Sequence, residues 1–181
     1  MLLLEPPFAF LPVDYRVRVA TEEWERRQCA RLRRAVFCDE QKLFLGDDRD
    51  ERDDVALPIA ASYCVLGAPE EVVGTVRIFE LEPGVWQGSR LAVHAEFRRM
   101  ASLGTELIRH AVCTAHGLGC RRFIAHVQEQ NVPLFRRLRW TTLERVELHG
   151  RPHHLMEADL AGYPPRAGGE VAFVAELRRA A

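Results

Sequence analysis

The residues best suited to chemistry lie in one turn. Between Val93 and Thr105 the chain carries Arg98, Arg99, Ser102 and Gly104, and it then enters a long helical pattern. The first N–H groups of a helix have no partner within the helix, and the aligned peptide dipoles leave positive charge at that end. An anion of phosphate size is stabilised at such a mouth, and small residues let the backbone approach it closely. Leu103, Leu107, Ile108, Ala111, Val112 and Ala115 recur with the helical period, while Gly117 and Gly119 supply the stop. Packing on a sheet accounts for that periodicity by itself. The paired arginines and Gly104 are the features that packing does not require.

The elements around this turn must position it. Trp86–His94 before it and Arg121–Gln128 after the helix read as strands, and a strand–helix–strand crossover predicts that they lie parallel. Upstream, Tyr15–Ala20 alternates as a first strand, and Thr21 caps a helix whose inward stripe is Trp24, Gln28, Leu32 and Val36. Ile59–Leu66, Glu71–Leu81 and Trp86–His94 are joined by tight turns and predict an antiparallel meander. A short helix opens at Asn131, where Pro133 is tolerated in the first turn. Trp140–Leu148 and Arg151–Leu160 form a final hairpin about His149-Gly150. The fold class is α/β (α+β), with a mixed sheet of about seven strands in one domain over residues 1–160. The tail, 161–181, contains Pro164-Pro165 and Gly168-Gly169 and then a short helix from Glu170.

Composition excludes several classes. The formal net charge is −1, which gives no basis for binding nucleic acid or an anionic membrane. Hydrophobic content of 48% and charged content of 28% are those of an ordinary globular domain. The five cysteines are odd in number and lack a Cys-x-x-Cys pair, so neither a disulfide framework nor a zinc site is expected and a reducing cytoplasm fits. The first residues lack the basic flank and length of a signal peptide. The acidic run from Asp47 to Asp54 reads either as a solvated loop or as a cover facing a substrate, and its spacing is not that of a calcium loop.

Two stretches carry a resemblance. Arg99-x-x-Ser102-x-Gly104 resembles the acyl-CoA loop of the GNAT N-acetyltransferases, and Gln130-Asn-Val-Pro-Leu-Phe-Arg-Arg-Leu-Arg-Trp140 resembles the helix after the fifth strand of that family. Val-Phe-Cys-Asp-Glu-Gln at 36–41 and Gly-Arg-Pro-His-His-Leu-Met at 150–156 are similar to a poorly characterised bacterial subgroup. The resemblance covers residues 14 to 160 and implies the GNAT fold, with its fourth and fifth strands parallel and splayed. It implies acetyl-CoA as co-substrate, no metal, and a small-molecule amine as acceptor, with a homodimer as an open assembly. Pantetheine would pair with a bulged fourth strand at Leu91, Ala92 and Val93, and the pyrophosphate would rest near Arg98, Arg99, Met100, Ala101, Ser102, Leu103, Gly104 and Thr105. Asn131 would reach the cofactor arm. Phe135 stands where the family often has a tyrosine acid, and Ser102 replaces a glycine, so the tyrosine's role is not carried over.

The implied chemistry is direct attack of an amine on a thioester. It uses a base near neutral pKa and an N–H for the oxyanion. Glu80, His126 and Glu129 are the catalytic candidates, with Glu40 and His94 behind them. His153 and His154 lack partners at metal spacing. Two other readings stay open. One is a non-catalytic acyl-CoA-binding module, suggested by Phe135. The other is an acyl-homoserine-lactone-synthase-like enzyme, suggested by Val36-Phe37 and residues 48–54, whose donor would be an acyl carrier protein.

Overall fold

A computed structural model describes residues 12–99, 102–169 and 171–177. Its eight strands form one sheet in the order β6-β7-β5-β4-β3-β2-β1-β8. The strands are β1 (Pro12–Val19), β2 (Leu57–Val65), β3 (Ala68–Glu82), β4 (Val85–Val93), β5 (Arg122–Gln128), β6 (Trp140–Leu148), β7 (Arg151–Ala158) and β8 (Ala172–Leu177). The helices are α1 (Glu23–Arg34), α2 (Leu103–Gly117) and α3 (Val132–Arg137). The expected meander, crossover and hairpin are all present. His149 and Gly150 both have positive φ, at 52° and 68°, as a two-residue hairpin turn requires.

Three expectations are corrected. The tail holds β8 rather than a helix; it pairs antiparallel with β1 and makes the sheet eight strands wide. Its residues Val171, Ala172, Phe173 and Val174 are β-branched, aromatic or small, which suits an edge strand. The inward face of α1 is rotated from the expected stripe. Its buried residues are Glu25, Cys29, Leu32 and Arg33, because Glu25 closes a capping box with Glu22 and bonds Arg18 (2.9 Å). The run 47–54 is a solvated loop only in part: Asp48 is buried and Asp53 half-buried, whereas the other residues are exposed.

The two faces of the sheet are covered separately. Val73, Val76 and Ile78 pack with Leu103, Leu107 and Val112 of α2, whereas Val72, Ala60 and Ala92 pack with Cys29, Leu32 and Val36 on the α1 side. Contact on the α2 side is close: a Cβ at Gly74 would sit 2.8 Å from Leu107 Cδ1. Leu107 is fully buried, so truncation to Ala would cost about 2–5 kcal/mol. Among the described residues no helix is long and apolar enough to cross a membrane.

Candidate active site

The site is made by two strands that part company. β4 and β5 pair in parallel over only Val85–Arg122, Trp86–Phe123, Gln87–Ile124 and Gly88–Ala125. From Ser89 onward that edge of β4 has no strand partner among the described residues. The other edge explains the departure. Arg77 lies opposite Ser89 and Thr75 opposite Ala92, so Arg90 and Leu91 face Val76 alone, and Arg90 has a φ of 56°. This is a β-bulge, which adds twist and turns backbone groups of Leu91 to Val93 into the gap.

α2 opens at the same place. Ser102 is its N-cap, with φ at −105°, so replacing a glycine there costs no left-handed strain. The first helical bond runs from Glu106 N–H to Ser102 O (2.8 Å), which places the N–H groups of Leu103, Gly104 and Thr105 at the mouth. Among the described residues, nothing lies within 4 Å of a Cβ built on Gly104. Met100 and Ala101 lie outside the described residues.

Two cavities meet at the gap. The first, of about 480 Å³, is lined by Leu91, Ala92, Val93, Arg98, Gly104 and Thr105, together with Asn131 and Phe135. It therefore brings together most of the residues expected to hold a cofactor. Leu103 is instead core, and Arg99 is exposed and lines neither cavity. Asn131 is the N-cap of α3 but makes no side-chain cap bond, which leaves its amide at the cavity. Arg98 is held by Glu40 through two bonds of 2.6 Å and donates to Val93 O (2.9 Å). Those bonds lower the Glu40 pKa and raise that of Arg98. Arg151, which the sequence did not single out, also lines this cavity and donates to Gln41 O (2.7 Å).

The second cavity, of about 340 Å³, lies across the gap. It shares Gln41, Leu91, Gln128, Asn131 and Phe135 with the first. Gln128 Nε2 donates to Gln41 Oε1 (2.9 Å), a bridge from β5 to the turn that follows α1. That turn, Ala35–Glu40, is a π-helical extension of α1, and such extensions widen a helix where a site needs room.

The candidate bases separate clearly. His126 lines the second cavity, and burial, with a smaller contribution from His153, lowers its pKa from the ordinary value. His153 is its neighbour in the wall, and its Nδ1 donates to Arg151 O (2.9 Å). In the sequence, His153 has the look of a metal ligand at most. The β5–β7 register, with Gln128 opposite His153, is what brings it to the gap. Glu80 does not reach either cavity. It lies opposite Trp86, at the end where β4 and β5 are still paired, and accepts from Gly84 N–H (2.8 Å) in the β3–β4 turn. Glu129 is also outside, 3.8 Å from His154 Nε2. Glu40 is engaged by Arg98, and His94 Nδ1 accepts from Glu96 N–H (3.4 Å).

The acidic run reaches the second cavity through Asp50 and Arg52, and three of its carboxylates, Asp48, Asp50 and Asp53, are matched by arginines from three elements. Arg33 bonds Asp48 (2.8 Å) and Asp53; Arg77 bonds Asp50 (2.8 and 2.7 Å) and Asp53 (2.6 Å); Arg90 bonds Asp48 (3.0 Å) and Asp50 (3.2 Å). Burial would raise the Asp53 pKa, but bonds from Arg33, the Asp50 N–H and Arg77 outweigh it and hold that carboxyl far below the usual range. The Asp50 pKa is lowered chiefly by Arg77. These groups therefore do not attract an amine. They pin the cover over the cavity, and through Arg90 they pin the bulge. Arg52, whose one ion pair among the described residues is with Glu51 at 3.9 Å, remains at the cavity wall over the Phe79 ring.

Comparison with known proteins agrees with this arrangement. The profile of the acetyltransferase (GNAT) family matches residues 19–139. The chain belongs to the GNAT acetyltransferase family. No curated protein matches it in sequence. Among solved structures, a putative N-acetyltransferase from Lactobacillus plantarum is similar with TM-score 0.70 and 18% identity, over 80% of this chain and 97% of that one. Escherichia coli ElaA gives 0.67 and 19%, over 81% and 99%. BjaI, a CoA-dependent acyl-homoserine lactone synthase solved with SAM and isopentyl-CoA, gives 0.60 and 17%, over 81% and 82%. At these identities the likeness carries the fold.

Proposed function

We propose that this GNAT protein is an acyl-CoA-dependent N-acyltransferase that passes an acyl group, acetyl at its simplest, to the amine of a small molecule in the cytoplasm. The observation that carries the reading is the parting of β4 from β5 beyond Gly88, beside the open mouth of α2. The pyrophosphate would rest on the N–H groups of Leu103, Gly104 and Thr105, near Arg98 and Arg151. The pantetheine amides would pair with the unpartnered edge of β4 as an added strand.

The amine nitrogen then attacks the thioester carbon, the C–N bond forms, and the C–S bond breaks. His126 takes the amine proton. A lowered imidazole pKa leaves the base neutral at neutral pH. An N–H of β4 past the bulge stabilises the oxyanion. Phe135 has no proton to give, so the thiolate leaves to solvent water.

A second reading is favoured by one observation: Phe37 and the 48–54 segment both close on the same cavity, which suits an acyl-homoserine-lactone-synthase-like enzyme. Because BjaI joins that activity to a CoA donor, the acceptor separates the two readings: turnover with S-adenosylmethionine alone favours the second, and turnover with other small amines the first.

Gly104→Asp tests the shared core of the proposal. The space around Gly104 admits the side chain, and a carboxylate suits an empty helix N-terminus, so the fold is kept. With the cofactor present, two unit charges about 4 Å apart at an effective dielectric near 20 repel by roughly 4 kcal/mol, about a thousandfold in affinity. Calorimetry with acetyl-CoA reads that loss, with circular dichroism as folding control. Binding as tight as wild type by the folded variant would remove α2 as the phosphate site.

A further inference from the structure

We infer that the preferred donor carries an acyl chain longer than acetyl, and that the chain lies in an apolar chamber entered through the gap between β4 and β5. The inference rests on the acyl-CoA reading and extends it to the acyl group.

The second cavity is lined from both faces of the sheet. Phe37 and Phe44 belong to the α1-side cluster, whereas Ile108, Ala111, Phe123 and Trp140 belong to the α2-side cluster. A continuous sheet separates such groups. Here the last paired position is Gly88–Ala125, and the cavity passes through immediately beyond it. Gly88 leaves room at that threshold for the Phe123 ring, which a Cβ there would meet at 3.1 Å.

The two halves of the cavity differ in chemistry. The titratable residues that line it are Asp50, Arg52, Arg77, Arg90, His126, His149 and His153, and none comes from α2 or from the apolar face of β5. On the α2 side, Trp140 turns its one donor away, to Tyr163 Oη (3.0 Å), and packs edge-on against Phe123 and Phe135. Among the described residues, no side chain of the α2-side cluster that lines the cavity offers a bond to an amine or a carboxylate. Interiors are close-packed, so unfilled apolar space next to a reaction centre is a site for an apolar group. A thioester held at the β4 bulge faces this space with its acyl end. The acceptor is left the polar half, with Arg52 and His126.

Calorimetry with CoA, acetyl-CoA, butyryl-CoA and hexanoyl-CoA decides the matter. Each buried methylene is worth about 0.8 kcal/mol, or roughly fourfold in affinity. Hexanoyl-CoA is therefore expected to bind at least tenfold tighter than acetyl-CoA. Ala111→Phe, which fills the chamber, is expected to bring that ratio close to one; Ala111→Leu, a smaller change, lowers it in part and serves if the first variant does not fold. Equal binding of acetyl-CoA and hexanoyl-CoA by wild type overturns the chamber while leaving the acyl-CoA reading intact. A ratio unchanged in a folded Ala111→Phe overturns it too. Failure of CoA itself to bind overturns the acyl-CoA reading, and the chamber with it.

Discussion

Two sets of arginines around the gap differ in what they touch. Arg33 and Arg77 are buried, Arg90 is nearly so, and each is bonded to carboxylates of the 48–53 segment. Arg52, Arg98 and Arg151 are exposed and stand on cavity walls. A cation taken out of water must keep its partners, so the first set is scaffold: it fixes the cover and the bulge. A cation left in water at a cavity can exchange its partner for a ligand, so the second set is available to substrate. Residue type is the same in both sets. Burial and partner number separate them.

The largest effect that tests this difference is Arg77→Ala. It strips a buried partner from Asp50 and Asp53 and should lower stability by about 3–5 kcal/mol in urea unfolding. Arg98→Ala removes an exposed pair with Glu40 and should cost no more than about 1 kcal/mol. If the two variants lose equal stability, the division into scaffold and available cations is wrong.

Arg166 belongs to neither set, and it sharpens the contrast. Its guanidinium bonds His110 Nδ1 (3.0 Å) in the core. Burial first, and then Arg166, lower the His110 pKa to about 4. A histidine with a depressed folded pKa has its full stability above the unfolded value and loses it as pH falls toward the folded one. Between pH 6.5 and pH 4 this group should cost roughly 3 kcal/mol of stability. Urea unfolding of wild type and His110→Asn at pH 7 and pH 4.5 measures it, and an equal acid loss in both proteins would assign the effect elsewhere.

Smaller again is the ligand side of the second set. Arg98→Ala and Arg151→Ala should each weaken acetyl-CoA by about 1.5–3 kcal/mol, roughly tenfold to a hundredfold. Arg99→Ala, at an arginine that lines neither cavity, should leave affinity near wild type. An Arg99 effect larger than that of Arg98 would reverse the assignment.

The same contrast describes what was legible in the sequence. The loop from Arg98 to Gly104 and the period of α2 are local signals, and so are the hairpin turn and the meander. They led directly to the fold, to the bulged β4 and to most of the first cavity. The arginine–aspartate cluster joins residues 15 to 42 positions apart, so a charge run was visible but its partners were not. Glu80 was misplaced for a related reason. It is an acid on the right strand, but β3 ends where β4 and β5 are still paired, and only strand direction and register reveal that. His153 entered the wall through the β5–β7 register, which has no local signature. β8 was hidden by the prolines and glycines that precede it.

The most direct test is a crystal structure with acetyl-CoA bound. The diphosphate should lie on the N–H groups of Leu103, Gly104 and Thr105, and the sulfur in the gap beyond Gly88, between β4 and Val127. A diphosphate bound elsewhere, or a thioester outside the gap, would contradict the account.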